Sequence, residues 1–390
     1  MSATTVRFHH LLRPHLTALL AVVRAPTHLL WEVAVGVTEW GHAFALICFA
    51  AALPLWSNAW SGRLSASLCA MAGILTLTPV IRGLQLSRDL PVVIDKTFAI
   101  TGTRRDSPLS IVRLFRGFSP PPVNSRLLTY AAADGSNLSL DFYPGASSAA
   151  CPLIVVIHGG SWNSGDNKDF IPMDQFLAGH GFAVADVLYR LAPRSPFPAA
   201  SIDTRTAIDF LRKRAHELNI DTDRIVLLGR SAGGQIALHV AYTSNDPSIR
   251  GVISFYGPAD LYWGWDHPGN PRVIDTRLVL TNYLGGGPSE FPANYAAASP
   301  LQLATSSSPP TLLLYGERDE LVSPYHGVVL SRRLTELGVP NLNVRLPWAT
   351  HGFDYILRGP GGQISAWTVE SFLHAIFTNA RPESSQRGSQ

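Results

Sequence analysis

The chain has 390 residues, 46% of them apolar and only 15% charged, with a net charge of +3. An average soluble domain carries about 25% charged residues, and disordered chains combine high charge with little apolar content, so disorder is excluded. The small net charge and the lack of any Lys/Arg run argue against a nucleic-acid partner.

The apolar excess lies near the N-terminus. Residues 10–37 read as an amphipathic, interfacial helix broken near Pro26. From Trp40 to Gly62, and again from Leu64 to Ile81, there is no charged residue. Eighteen helical residues span about 27 Å, close to the hydrocarbon thickness of a bilayer. Trp40 at one end and Trp56 and Trp60 at the other resemble an interfacial aromatic belt. The pattern predicts two transmembrane helices, 40–60 and 64–81, forming a hairpin within an anchor of residues 1–90. Arg7, Arg13 and Arg24 precede the hairpin, Arg82, Arg88, Lys96, Arg104 and Arg105 follow it, and Arg63 alone lies in its loop. The positive-inside bias therefore puts both flanks, and with them the rest of the chain, on the cytoplasmic side. Residues 91–125 form a linker or cap segment containing the extended FSPPPV and a short amphipathic stretch at 109–118.

From residue 126 the pattern alternates. Two strand-like runs, RLLTYAAADG and NLSLDFYPG, flank a turn at Asp134-Gly135-Ser136. LIVVIHGG (153–160), FAVADVLYRL (182–191), RIVLLG (224–229), GVISFYG (251–257), TLLLYGERD (311–319) and NVRLPWATH (343–351) are further strands, with helical stretches among them. Buried apolar strands alternating with amphipathic helices predict an α/β domain over 126–380 with a mostly parallel central sheet flanked by helices. Residues 258–308 are too long for a plain loop and rich in aromatics, so they read as a lid-like insertion in which Tyr262, Trp263, Trp265 and Tyr283 line an apolar pocket. The tail, 381–390, reads as disordered.

GRSAG (229–233) lies between a strand and a helix. A serine on so tight a turn needs glycine neighbours, and Gly229 and Gly233 supply them. A serine hydroxyl is a weak nucleophile, so Ser231 requires a base and an acid that orients it. The chain order Ser, Asp, His selects Asp319, ending TLLLYGERD, and His351, ending NVRLPWATH. Glu317, Glu320 and His326 compete for these roles, the acids with an ordinary reading as surface charge. HGGSW (158–162) ends the first long strand, and the amides of Gly160, Ser161 and Ala232 are candidate oxyanion donors. His158 reads as packing beneath this loop, Asp166 as a loop hydrogen-bond acceptor, and Tyr189 and Arg190 as structural. Cys48, Cys69 and Cys151 form no disulfide framework, and the histidines and cysteines lack metal-ligand spacing, so no metal and no cofactor is expected.

In ordered combination, HGGSW…GD, YRLAPRSPFPAA, GRSAGG, GERDELV and THGFD resemble the α/β-hydrolase superfamily, in its hormone-sensitive-lipase and acetyl-esterase-like branch, with similarity to feruloyl-esterase-like members. Serine stands at 161 where many relatives carry a third glycine. The resemblance implies a serine carboxylic-ester hydrolase, here membrane-anchored, acting on small-molecule or lipid esters. An amidase or formamidase would use the same triad, and a non-catalytic binding protein on this fold is a more distant alternative.

Overall fold

The computed structural model describes residues 17–100, 106–118 and 123–378. Arg7, Arg13, Arg104, Arg105, the prolines of FSPPPV and the tail 381–390 lie outside the described residues.

Eight strands form one sheet: β1 (Arg126–Ala131), β2 (Asn137–Tyr143), β3 (Cys151–Ile157), β4 (Ala183–Val187), β5 (Ile220–Arg230), β6 (Ile249–Phe255), β7 (Thr311–Gly316) and β8 (Asn341–Leu346). Their spatial order is β1-β2-β4-β3-β5-β6-β7-β8. β1 pairs with β2, and β2 with β4, antiparallel; every other neighbour is parallel. The β1–β2 turn is closed by Asp134, whose Oδ1 accepts from the amide (3.0 Å) and the hydroxyl (2.7 Å) of Ser136. β3 and β7 are almost wholly apolar because both of their faces are covered, as parallel sheets require, and β4 is apolar but for the buried Asp186. Gly251 in β6 packs against Phe372, while Ser254, three residues on and so on the opposite face, packs against Gly234.

Helices α1 (His28–Glu39), α2 (Gly41–Leu55), α3 (Trp60–Thr97) and α4 (Ile111–Arg116) precede the sheet. α5 (Ile171–Gly179), α6 (Ala199–Lys213), α7 (Ala215–Leu218) and α8 (Ala232–Thr243) connect its central strands. The 258–308 insertion carries α9 (Leu261–Asp266), α10 (Thr276–Leu284), α11 (Pro292–Ala298) and α12 (Pro300–Leu303), and α13 (Tyr325–Glu336) and α14 (Pro360–Thr378) complete the chain. α6 shows why such helices form: Ala200, Thr204, Ala207, Ile208 and Leu211 recur at helical spacing and are buried, while Arg212 and Lys213 complement the dipole of its last turn.

The N-terminal region differs from the sequence expectation in three ways. Among the described residues of 10–37, 17–19 are helical, 20–27 are turn and extended chain around Pro26, and α1 resumes the helix at His28, so the break is wider than a kink at one proline. α1 meets α2 at 80°, and α2 spans only 15 residues, about 22 Å. α3 does not stop near Ile81: its 38 residues continue for about 57 Å through the segment expected to begin a linker. The reason is packing, since Val80, Leu90 and Ile94 enter the main core and Phe98 meets Phe372 of α14 edge to face at 4.9 Å. Among the described residues α3 is the one helix long and apolar enough by itself to cross a bilayer.

α2 and α3 touch through small residues. A Cβ on Gly41 would lie 2.1 Å from the Thr76 carbonyl oxygen, and one on Gly73 would meet the Phe49 ring. Along its first half α3 buries Ala66, Cys69, Ala72 and Thr76, and exposes Leu68, Met71 and Ile74. Glu39, buried at the end of α1, accepts from the amides of Gly361 (2.7 Å) and Gly362 (3.4 Å), where the α14 dipole favours an acidic group.

Candidate active site

The site gathers at the carboxyl edge of the sheet, where every functional segment leaves a strand. Ser231 follows β5 with φ 54° and ψ −119°, a conformation that a non-glycine residue holds only when its surroundings enforce it. Its amide is tied to the carbonyl of Phe255 on β6 (2.9 Å). Side chains at the two flanking glycines are impossible: a Cβ on Gly229 would lie 2.0 Å from the Gly233 oxygen, and one on Gly233 2.1 Å from the Ile157 oxygen. Such contacts aim the serine outward at the head of α8.

Asp319, after β7, and His351, after β8, are brought together. His351 Nδ1 and Asp319 Oδ2 are 2.7 Å apart, with both side chains buried. The carboxylate can only accept here, so Nδ1 donates, and in the neutral ring Nε2 is then the acceptor. The other carboxylate oxygen accepts from the amides of Leu321 and Val322, each at 2.8 Å, which fixes the acid's orientation. The rival acids are engaged elsewhere. Glu317 bonds Arg345 at 2.5 and 3.0 Å. Glu320 is not surface charge: it accepts from the Ala25 amide (2.5 Å) and from Thr350, and burial pushes its carboxyl above the usual range. His326 sits in the first turn of α13, where burial drives its imidazole down to about 3 and keeps it neutral.

The loop after β3 turns tightly, with Gly160, Ser161 and Trp162 at φ 105°, 54° and 59°. The Gly160 carbonyl accepts from the amides of Asn163 (3.1 Å) and Ser164 (3.0 Å). Trp162 stacks on Tyr283 at 4.2 Å, and both donate to Oε1 of Gln235 on α8 (3.0 Å each). His158 stacks beneath the loop on Tyr189 at 4.3 Å, and burial lowers its pKa. Asp166 accepts from the Lys168 amide at 3.1 Å as a loop acceptor. Arg190 is consumed by Asp203 and Asp134.

A cavity of 540 Å³ opens over these residues, within the range of ligand pockets. Ser231, Ala232, Ser161 and Asp319 lie on its wall, and Trp263, Leu261, Val279 and Leu280 of the insertion supply apolar surface. Of the four aromatics expected there, Trp263 lines it, whereas Tyr283 is stacked on Trp162 and Tyr262 and Trp265 pack against Tyr295. These three are corrected to structural residues: aromatic composition marks burial, and here Tyr283 packs on Trp162 and Phe197 while Tyr262 and Trp265 pack on Tyr295 within the insertion. Among the described residues no group of three or more His, Cys, Asp or Glu side chains could hold a metal ion.

Sequence reasoning gives no role to two groups of residues, although Arg230 and Asp354 of the first lie inside GRSAGG and THGFD. Behind His351, Tyr256 packs its ring at 4.2 Å and donates to Asp354 (2.5 Å), whose other oxygen accepts from Arg230 Nε (2.6 Å). Arg230, wholly buried inside the GRSAG motif, also lies 3.7 Å over the Phe170 ring. The second group is N-terminal: Arg24, Ala25 and Pro26 form part of the cavity wall.

A mostly parallel eight-stranded sheet with a serine at the strand–helix turn and an Asp–His pair at its carboxyl edge defines an α/β-hydrolase. The chain belongs to the BD-FAE family, which it matches over residues 140–334, within the hormone-sensitive-lipase and acetyl-esterase-like branch. It is similar to the carboxylesterase NlhH of Mycobacterium tuberculosis, 30% identical over 66% of this chain and 85% of that protein. It is also similar to the esterase LipC of the same organism, 27% identical over 58% of each chain. The chain thus spans less than two thirds of the length of LipC. Among solved structures, an esterase from Pyrobaculum calidifontis shares the fold with a TM-score of 0.58 at 21% identity, covering 76% of this chain and 97% of that one. An esterase from Rhizomucor miehei does so with a TM-score of 0.58 at 23% identity, covering 74% and 96%.

Proposed function

We propose that the protein is a membrane-anchored serine hydrolase of carboxylic esters, with Ser231 as nucleophile, His351 as base and Asp319 as the acid that orients it. The observation that carries this reading is Ser231 at the strained turn sharing one cavity with Asp319, which is itself bonded to His351. Ser231 Oγ forms a bond to the acyl carbon as its proton passes to His351 Nε2. The amides of Gly160, Ser161 and Ala232 stabilise the oxyanion without reorganising. His351 returns the proton to the departing alkoxide, then takes one from water as it attacks the acyl-enzyme, and passes that proton to Ser231 Oγ as the acyl–oxygen bond breaks and the acid leaves. Full-length Ser231→Ala, purified in detergent, is expected to lose at least about 10³-fold of its turnover of p-nitrophenyl butyrate with an unchanged circular dichroism spectrum. Retained turnover overturns the assignment.

The anchor reading is supported by an inverted packing pattern. α2 and α3 bury glycine, alanine and threonine against each other and expose Phe44, Ile47, Leu68, Met71 and Ile74. Water favours the opposite arrangement, whereas lipid tails accept large side chains and small residues let helices approach closely. Arg24 bonds the Glu317 carbonyl and Arg82 the Pro347 carbonyl, so both ends of the hairpin are tied to the domain. That supports a hairpin with both flanks and the domain on one side, which the charge bias makes the cytoplasmic side. Held there, the apolar cavity would meet lipid or other apolar esters.

A further inference from the structure

From Leu20 to Trp31 in the first turn of α1, the chain passes the candidate site, with Arg24, Ala25 and Pro26 on the cavity wall, and its hydrogen bonds fall on a narrow set of partners. The Arg318 guanidinium donates to the carbonyls of Leu20 (2.7 Å), Ala21 (2.6 Å) and Val23. Arg24 donates to the Glu317 carbonyl (3.1 Å), and the Ala25 amide donates to Glu320 (2.5 Å). These three partners, 317, 318 and 320, bracket Asp319. On the other side, the Trp31 indole N–H donates to the backbone carbonyl of His351 itself (3.0 Å). Asn270 of the insertion donates to the Pro26 carbonyl (3.0 Å), and the His28 amide donates to the Arg272 carbonyl (3.0 Å). Leu20, Ala25 and Ala34 are buried in a small cluster of their own with Trp31 beside it.

The loops so held have no regular structure. His351 lies in the irregular stretch between β8 and α14, and Asp319 in the turn between β7 and α13. Loop residues drift unless they are tied, and a misplacement of about 1 Å in a reacting group costs on the order of 10²-fold in rate. The ties to those two loops come from a segment that lies outside the sheet and its crossover helices, and outside the matched family region.

We propose that residues 20–31 are a working part of the active site: a strap that holds the Asp319 and His351 loops in register and closes one wall of the cavity, with Trp31 as the positioning residue for His351. This rests on the serine-hydrolase reading above. Because the strap continues into α1 and the hairpin, the geometry of the acid–base pair is tied to the anchor.

The test uses the full chain in detergent micelles with p-nitrophenyl butyrate. Trp31→Phe keeps an aromatic ring and removes the donor. It is expected to lower kcat about 10-fold with KM within about twofold. Trp31→His, which restores a ring N–H, is expected to recover part of kcat, a rescue that loss of packing alone would not give. If Trp31→Phe does not fold, Asn270→Ala releases the strap from the insertion side, with a kcat loss of about threefold at an unchanged KM. A wild-type kcat in the folded variant overturns the strap. Activity retained by Ser231→Ala would instead overturn the hydrolase reading, so the two failures are distinct.

Discussion

At the scale of single residues, the site depends on charges that solvent never reaches. Arg230 is the second residue of the GRSAG motif, and a surface location is the default for arginine. Here it is sealed beneath the turn that carries Ser231, where Asp354, three residues beyond His351, matches its charge. The pair thus ties the turn that carries Ser231 to the loop that carries His351. Asp174 and Asp186, also buried near Arg230, have carboxyls raised well above their usual range by desolvation, so they add little opposing charge. Arg230→Met would leave Asp354 as an uncompensated buried anion, at a cost of about 3–5 kcal/mol. The expected outcome is a Tm lower by about 10 °C in differential scanning calorimetry. An unchanged Tm would show that the charge is not needed for the fold.

At the scale of elements, α8 and α14 show how packing overrides pattern. α14 is buried on nearly all sides, including at Gln363, Ser365, Thr368 and Ser371. α3 lies over it, and two of these polar side chains turn to backbone acceptors: Gln363 donates to the Arg358 carbonyl (2.8 Å) and Thr368 to the Ile364 carbonyl (2.6 Å). α8 carries His239, whose imidazole is held down at about 4, chiefly by burial and secondarily by the Arg205 charge. The folded state therefore keeps this histidine neutral while the unfolded chain protonates it below about 6.5. A depressed histidine contributes stability that is present above the unfolded pKa and lost as pH falls through the window from about 6.5 to about 4. Between pH 7 and pH 5 this amounts to about 2 kcal/mol. His239→Phe is expected to shrink the difference in Tm between those two pH values, and an unaltered difference would assign the acid sensitivity to other groups.

At the scale of the whole molecule, α3 and the sheet share one core rather than meeting through a linker. Val80, Leu90 and Ile94 of α3 belong to the same buried cluster as the central strands. On the anchor reading proposed above, topology follows from the hairpin as a unit. An alkaline phosphatase fused after Gln390 is expected to be inactive, because a domain on the side of both basic flanks stays in the cytoplasm. Phosphatase activity there would put the domain across the membrane.

The amino-acid sequence alone specified the eight strands, their mostly parallel arrangement and the positions of Ser231, Asp319 and His351. These are local features: apolar runs of the right length, a glycine-flanked turn, and polar residues at strand ends. Only the tertiary structure decided what surrounds them. Trp31 and Arg24 reach the site through bonds to distant backbone carbonyls, which leave no periodicity or motif to read, and Glu320, inside GERDELV, is engaged by the Ala25 amide only in the packed chain. Arg230 and Asp354 pair across 124 positions, and three insertion aromatics turn into the protein rather than toward the cavity. Secondary structure is written in neighbouring residues, whereas a cavity wall is assembled from segments that meet only when the whole chain has packed.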